Sequence, residues 1–311
     1  MDGTITPKLA TELRQRFGER VRFDEPLQRH TSFRIGGPAD VWLEVKTPDE
    51  IVLLQQLASF HGVPLQVFGG GTNVLVSDAG VRGIVLKLGR PFAEFLWAET
   101  GGQCRVRAGA AARFKRLVTD AARRRLSGLE FAEGIPGSIG GGLLMNAGAF
   151  GGEIADVLEG VAGVASAEGE RYLPRAALRF GYRFFDLPPA FVVTHVDFVL
   201  RRDEGEAIDR RIAEAKRRRE AHQPLGWPNA GSIFKNPPGA YAGRLIESAG
   251  MKGRRIGGAM VSEQHANFIV NVGAATAAEV KQLMDEIADG VWKQSSIQLV
   301  PEIKLLGDWE R

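Results

Sequence analysis

The chain has 311 residues, 44% of them hydrophobic and 25% charged, with a formal net charge of +3. That length exceeds what one hydrophobic core commonly serves, so two or three parts are expected, and the composition is that of a folded chain rather than a disordered one. One cysteine, Cys104, excludes an internal disulfide; no run approaches the ~20 apolar residues of a membrane helix; and Met1–Pro7 lacks the basic-then-apolar order of a secretory leader, so the expected location is the cytoplasm.

Thr47-Pro48-Asp49-Glu50 opens a helix. Thr47 can cap it, Pro48 suits the first position, and Glu50 can complete a capping box. Leu53, Leu54, Leu57 and Ala58 recur at helical spacing and Gly62 ends the run. Strands are predicted over 63–68, 74–76 and 84–86, a β-α-β start. Another strand is predicted over Arg105–Ala108, followed by a helix carrying Phe114, Leu117, Val118, Ala121 and Ala122 on one face. The stretch 157–200 reads as strand-rich. From Arg201 to Glu220 acidic residues precede basic ones, an order that complements a helix dipole, and the segment is expected to be a solvated linking helix that starts a new domain. Thr276 and Glu279 form a second capping box ahead of Val280, Leu283, Met284, Ile287 and Val291. Alternation over Ile297–Leu306 predicts a closing strand.

The 39 glycines exceed the ~7% average usage, and they cluster, which marks tight turns or close backbone approach. Gly69-Gly70-Gly71-Thr72-Asn73 lies between two predicted strands, so it is not the dinucleotide fingerprint, which needs a helix after it. Alone, the loop reads equally as a tight turn or as an anion-binding nest of amides. The second cluster runs from Glu133 to Gly148. Pro136 is placed there as a helix opener, and the amides of Gly137 and Ser138 are expected to point outward. Two such cradles imply an extended ligand bearing a diphosphate.

Taken with Thr31–Asp40, Ala230-Gly231-Ser232-Ile233-Phe234-Lys235-Asn236-Pro237 and Pro301-Glu302-Ile303, these loops resemble the UDP-N-acetylenolpyruvoylglucosamine reductase (MurB) family, shorter subtype, within the vanillyl-alcohol oxidase/PCMH superfamily. The resemblance runs from about Leu27 to Gly307. It implies an α+β fold: a PCMH/VAO-type two-part FAD-binding domain (1–88, rejoined by 299–311, and 89–202) plus a C-terminal α/β substrate-binding domain (203–298). It also implies noncovalent FAD, because the first glycine loop carries Thr72 and Asn73 where some members of the superfamily have a His or Cys attachment site. The cofactor contacts it implies are Arg34, Gly69, Gly70, Gly71, Thr72, Asn73, Gly109, Ile135, Pro136, Gly137, Ser138, Gly140 and Gly141. The reaction it implies is reduction of the enolpyruvyl ether of UDP-N-acetylglucosamine enolpyruvate, with NADPH as co-substrate.

Such a reduction needs the carboxylate held by a cation and a proton donor at the α carbon. The family pattern assigns Arg183 to the carboxylate, a task suited to a planar guanidinium fork. It assigns Glu302 beside the same carboxylate and Ser232 as general acid, with Tyr182, Lys235 and Asn236 on the UDP-sugar. Each has a plainer reading, as surface arginine, exposed strand residue or turn serine. The family often carries serine two residues after the motif arginine; here that position is Phe185. Arg217–Arg219 could reach a diphosphate, and His265 reads first as a satisfied structural histidine. The five histidines show no metal-ligand spacing, so no metal is expected. A monomer binding neither membrane nor nucleic acid is expected. The rival readings are a sugar or lactone oxidase of the same superfamily, a nucleic-acid-binding protein using 201–219, and a serine hydrolase at Ser232.

Overall fold

The computed structural model describes residues 5–100, 103–165 and 169–309; residues 1–4, part of the segment read above for a leader, lie outside them. In chain order the elements begin with α1 (Pro7–Phe17), β1 (Val21–Pro26), β2 (Pro38–Val45), α2 (Pro48–His61), β3 (Leu65–Phe68), β4 (Val74–Val76) and β5 (Val81–Leu88). Then come β6 (Phe95–Thr100), β7 (Gln103–Gly109), α3 (Phe114–Arg123), β8 (Leu126–Ser127), α4 (Ile139–Leu144), β9 (Gly148–Ala149) and β10 (Gly152–Glu153). They continue as β11 (Leu158–Ala165), β12 (Gly169–Pro174), β13 (Arg179–Gly181), β14 (Phe184–Asp186), β15 (Val192–Arg202) and α5 (Gly205–His222). The last are α6 (Ala242–Ser248), β16 (Arg255–Ile256), β17 (Ala259–Val261), β18 (Ile269–Asn271), α7 (Ala277–Ser295) and β19 (Lys304–Leu306). No described helix is long and apolar enough to cross a membrane.

The chain forms two compact units. The first holds the chain up to Val21, Trp42–Gly70 and Ile84–Arg219; the second holds Arg22–Val41, Gly71–Gly83 and Glu220–Arg311.

In the first unit α2 starts at its predicted cap, Thr47, while the Glu50 carboxylate accepts the Lys46 amide at 2.6 Å and the Arg20 guanidinium. The Thr47 side chain accepts the Glu50 amide at 3.2 Å, and Gly62 closes the helix in the left-handed region at φ 65°. The helix returns the chain to β3, which pairs in parallel with β5 in a sheet of order β1-β2-β5-β3. A second sheet has the order β12-β11-β15-β7-β6, with β8 beside β15. Along β7 the inward residues alternate, burying Cys104, Val106 and Ala108. Phe114, Leu117, Val118 and Ala121 of α3 are buried too, the face its spacing predicts. On α5 only Ile208 and Ala215 are fully buried, while Arg211 pairs with Glu130 at 2.7 Å and Asp203 at 2.5 Å.

In the second unit α6, α7 and the antiparallel sheet β16-β17-β18 enclose a core that includes Phe33, Leu75, Ile233, Phe234, Ile246, Val261, Leu283 and Ile303. The capping box of α7 forms as predicted: the Thr276 hydroxyl takes the Glu279 amide at 3.1 Å and the Glu279 carboxylate takes the Thr276 amide at 3.0 Å. The Asp78 carboxylate accepts the Ala277 and Ala278 amides, adding negative charge at the same helix start.

Two predicted elements differ. The helix expected to open at Pro136 begins at Ile139, because Gly137 sits at φ 99°, outside the helical region, and Ser138 is the cap, its hydroxyl accepting the Gly141 amide at 3.3 Å. The closing strand shrinks to β19, which pairs in parallel with β4. Before it, Pro301 has no N–H to offer a ladder and makes only an isolated bridge with Phe234.

Candidate active site

The two glycine turns of the first unit meet backbone to backbone. A Cβ built on Gly70 would lie 2.6 Å from the Gly137 Cα and 2.8 Å from the Ser138 nitrogen; one on Gly69 would lie 3.1 Å from the Ser138 hydroxyl and 3.6 Å from the Gly141 Cα. At Gly70 only glycine fits, and the contact formed there is main chain on main chain. The amides of Gly140 and Gly141 are engaged locally, on the Ala110 carbonyl at 2.9 Å and the Ser138 hydroxyl. Gly142 is excluded from carrying a side chain by the Phe114 ring, 2.2 Å from where its Cβ would be. Gly109 is a close-approach position as well, since its Cβ would strike the Phe92 carbonyl at 2.1 Å. The Ile135 amide donates to the Ala132 carbonyl at 3.0 Å, fixing the turn that leads to Pro136.

Two cations brace these turns: Lys87, which the sequence reading did not assign, and Arg219, which it grouped with Arg217 and Arg218 as a candidate diphosphate contact. Lys87 donates its ammonium to the Gly69 carbonyl. Burial pulls this ammonium below the usual lysine range and nearby Arg113 adds to the effect, while Glu44 opposes it. Arg219 packs on the Gly134 turn, its Cδ 2.7 Å from where a Gly134 Cβ would stand, with its guanidinium 5.6 Å from the Phe150 ring centre. Burial lowers its pKa against the opposing charge of Glu133. Of the three arginines predicted as a group, Arg217 and Arg218 pair with Glu214 at 2.7 and 2.6 Å, and Arg219 alone turns onto the glycine segment.

Arg183 stands in the two-residue loop of the β13–β14 hairpin, with Gly181 paired to Phe184. Its φ of 54° is left-handed, a conformation that strains a non-glycine residue by about 1–2 kcal/mol. Its guanidinium donates to the Gly148 carbonyl at 3.1 Å and lies 5.1 Å from the Tyr182 ring centre. The fully buried Asn146, which sequence reasoning missed, ties the hairpin to the glycine segment. Its amide nitrogen donates to the Gly181 carbonyl at 3.2 Å, and its oxygen accepts the Ala155 amide at 3.0 Å. Phe185 explains the departure from the family's serine. It is buried and stacks on Phe180 at 4.4 Å, with Arg175 capping Phe180 at 4.6 Å, so an aromatic stack stiffens this hairpin.

Ser232 and Glu302 come together in the second unit. The Glu302 amide donates to the Ile233 carbonyl at 2.8 Å and the Lys235 amide to the Val300 carbonyl at 2.9 Å, so the two segments run side by side. Asn73 stands at the same place: its side chain donates to the Glu302 carbonyl at 3.3 Å, and its carbonyl accepts the Lys304 amide at 3.0 Å. Gly231, at φ 78°, turns the chain into Ser232, its amide held by the Asn229 side chain at 2.9 Å. Asn236 takes the Ala242 amide at 3.0 Å at the start of α6. Arg34 (φ 56°), Gly71 (φ 66°) and Thr72 also belong to this unit, where the Gly71 carbonyl accepts the Ser32 amide at 2.9 Å. Of the predicted catalytic residues, then, Ser232 and Glu302 share the second unit and Arg183 lies in the first with the glycine crossing.

Comparison with known proteins gives the lineage. Residues 39–172 match the model of an FAD binding domain, and residues 223–306 match that of the UDP-N-acetylenolpyruvoylglucosamine reductase C-terminal domain. UDP-N-acetylenolpyruvoylglucosamine reductase 2 of Symbiobacterium thermophilum is 47% identical over 93% of this chain and 92% of its own length. The Geobacter sulfurreducens reductase is 43% identical over 99% of this chain and 100% of its own length. The crystal structure of the MurB reductase from Thermus caldophilus is 37% identical, with a TM-score of 0.78 over 92% of this chain and 98% of that one. This chain therefore belongs to the UDP-N-acetylenolpyruvoylglucosamine reductase family.

Proposed function

We infer that this chain reduces the enolpyruvyl ether of UDP-N-acetylglucosamine enolpyruvate to UDP-N-acetylmuramate, using FAD and NADPH, in peptidoglycan synthesis. Its family membership carries that reading. A flavin dinucleotide suits the residues present, since two glycine turns that pack main chain against main chain can offer backbone amides to a diphosphate. FAD, when bound and reduced by NADPH, supplies the two electrons added to the substrate double bond. On this reading Gly69–Asn73, Ile135–Ser138, Gly140, Gly141, Gly109 and Arg34 hold the cofactor.

The remaining chemistry belongs to side chains. Arg183 clamps the substrate carboxylate through its planar fork, which its bond to the Gly148 carbonyl steadies. Glu302 is assigned to the same carboxylate and limits the charge that builds on it. Ser232 holds the proton destined for the α carbon. Tyr182, Lys235 and Asn236 orient the UDP-sugar. The observation that carries the pairing of Ser232 with Glu302 is the 2.8 Å bond from the Glu302 amide to the Ile233 carbonyl, which ties the residue after Ser232 to Glu302.

The proposed organisation is a two-part cofactor domain, 1–88 with 299–311 and 89–202, and a substrate domain, 203–298. The chain is proposed to act as a cytoplasmic monomer that binds no nucleic acid. The ion pairing of Arg211, Arg217 and Arg218 with acidic neighbours supports the last point. Anaerobic stopped-flow spectroscopy tests the whole reading. NADPH should bleach the yellow holoprotein, and UDP-N-acetylglucosamine enolpyruvate should restore the colour. Bleaching without recovery by this substrate would refute the assignment.

A further inference from the structure

A single buried side chain organises the segment that carries Ser232. Asn267 is 4% exposed. Its side-chain oxygen accepts the Phe234 amide at 3.0 Å, its side-chain nitrogen donates to the Phe234 carbonyl at 2.8 Å, and its own carbonyl accepts the Ile233 amide at 2.9 Å. Neighbouring main-chain groups face the other way: the Ile233 carbonyl takes the Glu302 amide, and the Lys235 amide donates to the Val300 carbonyl. The segment after Ser232 therefore has a strand-like partner on one side, and on the other a carboxamide doing what a second strand would do. Only a group with one donor and one acceptor in a plane can satisfy both polar atoms of Phe234.

The clamp is itself held. The Asn267 amide donates to the His265 Nδ1 at 3.1 Å, and the His265 ring lies edge-on to Phe268 at 4.9 Å. The Ser262 hydroxyl accepts the amides of Gln264 and His265, and Phe268 donates back to the His265 carbonyl at 3.0 Å. Gly243 of α6 leaves room for the imidazole, since a Cβ there would stand 3.1 Å from its Cε1. Burial keeps this imidazole below the usual histidine range, so the acceptor that Asn267 needs is available at neutral pH.

We propose that Asn267, buttressed by His265, is a positioning residue for the proton-delivery step: it fixes Ile233 and Phe234, and through them the placement of the Ser232 hydroxyl beside Glu302. The proposal rests on the assignment of Ser232 as the proton donor. It assigns Asn267 no contact with substrate, so its effect belongs to the second half-reaction alone.

The test compares both half-reactions of the holoenzyme in anaerobic stopped flow, in H2O and in D2O. Asn267→Asp keeps the size and the acceptor but removes the donor and sets a carboxylate against the Phe234 carbonyl. NADPH should bleach it at a rate within about twofold of the parent, while recovery with UDP-N-acetylglucosamine enolpyruvate should slow about a hundredfold, the scale of a 1 Å misplacement. Its solvent isotope effect on recovery should rise, which a general loss of packing would not cause. His265→Leu should shift recovery in the same direction by a smaller factor, and His265→Asn, which restores an acceptor, should recover part of it. Unchanged recovery in Asn267→Asp, or an equal fall of both half-reactions, overturns the proposal. If Asn267→Asp does not fold, the His265 pair decides, and identical recovery in Leu and Asn variants overturns it. Full-rate recovery in Ser232→Ala would instead overturn the assignment of Ser232.

Discussion

The proton-donor role proposed for Ser232 asks more of its neighbours than of the side chain itself. A hydroxyl is a poor acid, and here its placement comes from neighbours: Gly231 at φ 78° ahead of it, and Ile233, held by Asn267 on one side and Glu302 on the other, after it. Ser232→Ala should therefore fold normally and be bleached by NADPH at nearly the parent rate. Its recovery with substrate should fall by about two orders of magnitude or more, the usual worth of a positioned acid; equal losses in both half-reactions would rule out the acid role. Gly70 makes the complementary case, a residue that acts by having no side chain. Gly70→Ala places a methyl group 2.6 Å from the Gly137 Cα, where only main chain can yield. The flavin-to-protein ratio after gel filtration should drop well below that of the parent, and an unchanged ratio would remove the crossing from the cofactor site.

At the scale of elements, local signals were legible and distant ones were not. The α7 start was readable because Thr276 and Glu279 bond each other three residues apart. Thr276→Ala should cost about 1 kcal/mol, seen as a lower midpoint in urea with an unchanged slope. The α4 start was misread because Pro136 is a generic opening signal, whereas the φ of Gly137 and the hydroxyl of Ser138 decide where the helix begins. The long closing strand was misread for a different reason: alternation reports which faces are buried, but a ladder exists only where a partner runs, and β4 offers three residues. The bonds of Lys87, Asn146 and Asn267 could not be read because their partners lie 18, 35 and 33 residues away. A lysine or an asparagine carries no local mark of such a bond. The proposed catalytic trio came only from family resemblance, since Arg183, Ser232 and Glu302 show no spacing that chemistry alone would select.

For the whole molecule, acid should act in two steps. Burial holds the imidazoles of His195 and His265 below the ordinary histidine range. The unfolded chain, with its histidine pKa of about 6.5, therefore takes up protons first, and stability that is complete above that pH declines as pH falls through it. The Arg20 guanidinium, bonded at 2.6 Å, holds Glu50 below the usual carboxylate range against the cost of burial. That stability is present above an unfolded pKa of about 4.3 and is lost as pH falls through the lower folded value. The thermal midpoint should be level above neutrality, sag between pH ~7 and ~5, and drop again below ~4.3. Glu50→Gln should make the second drop shallower, other lowered carboxylates such as Glu25 and Glu130 remaining, and leave the first; a midpoint constant down to pH ~5 would contradict the histidine part.

The parallel pairing of Val74–Val76 with Lys304–Leu306 has a consequence for the birth of the protein. Asn73 reaches Glu302 across 229 residues of sequence. During synthesis the short apolar strand beside Asn73 leaves the ribosome long before its mate is made, and for that interval it is an unsatisfied edge that other chains can join. A helper that shields nascent chains should raise the soluble yield more than it raises the stability of the finished molecule. Slowing translation late in the message should lower that yield without altering the activity of the molecules that succeed.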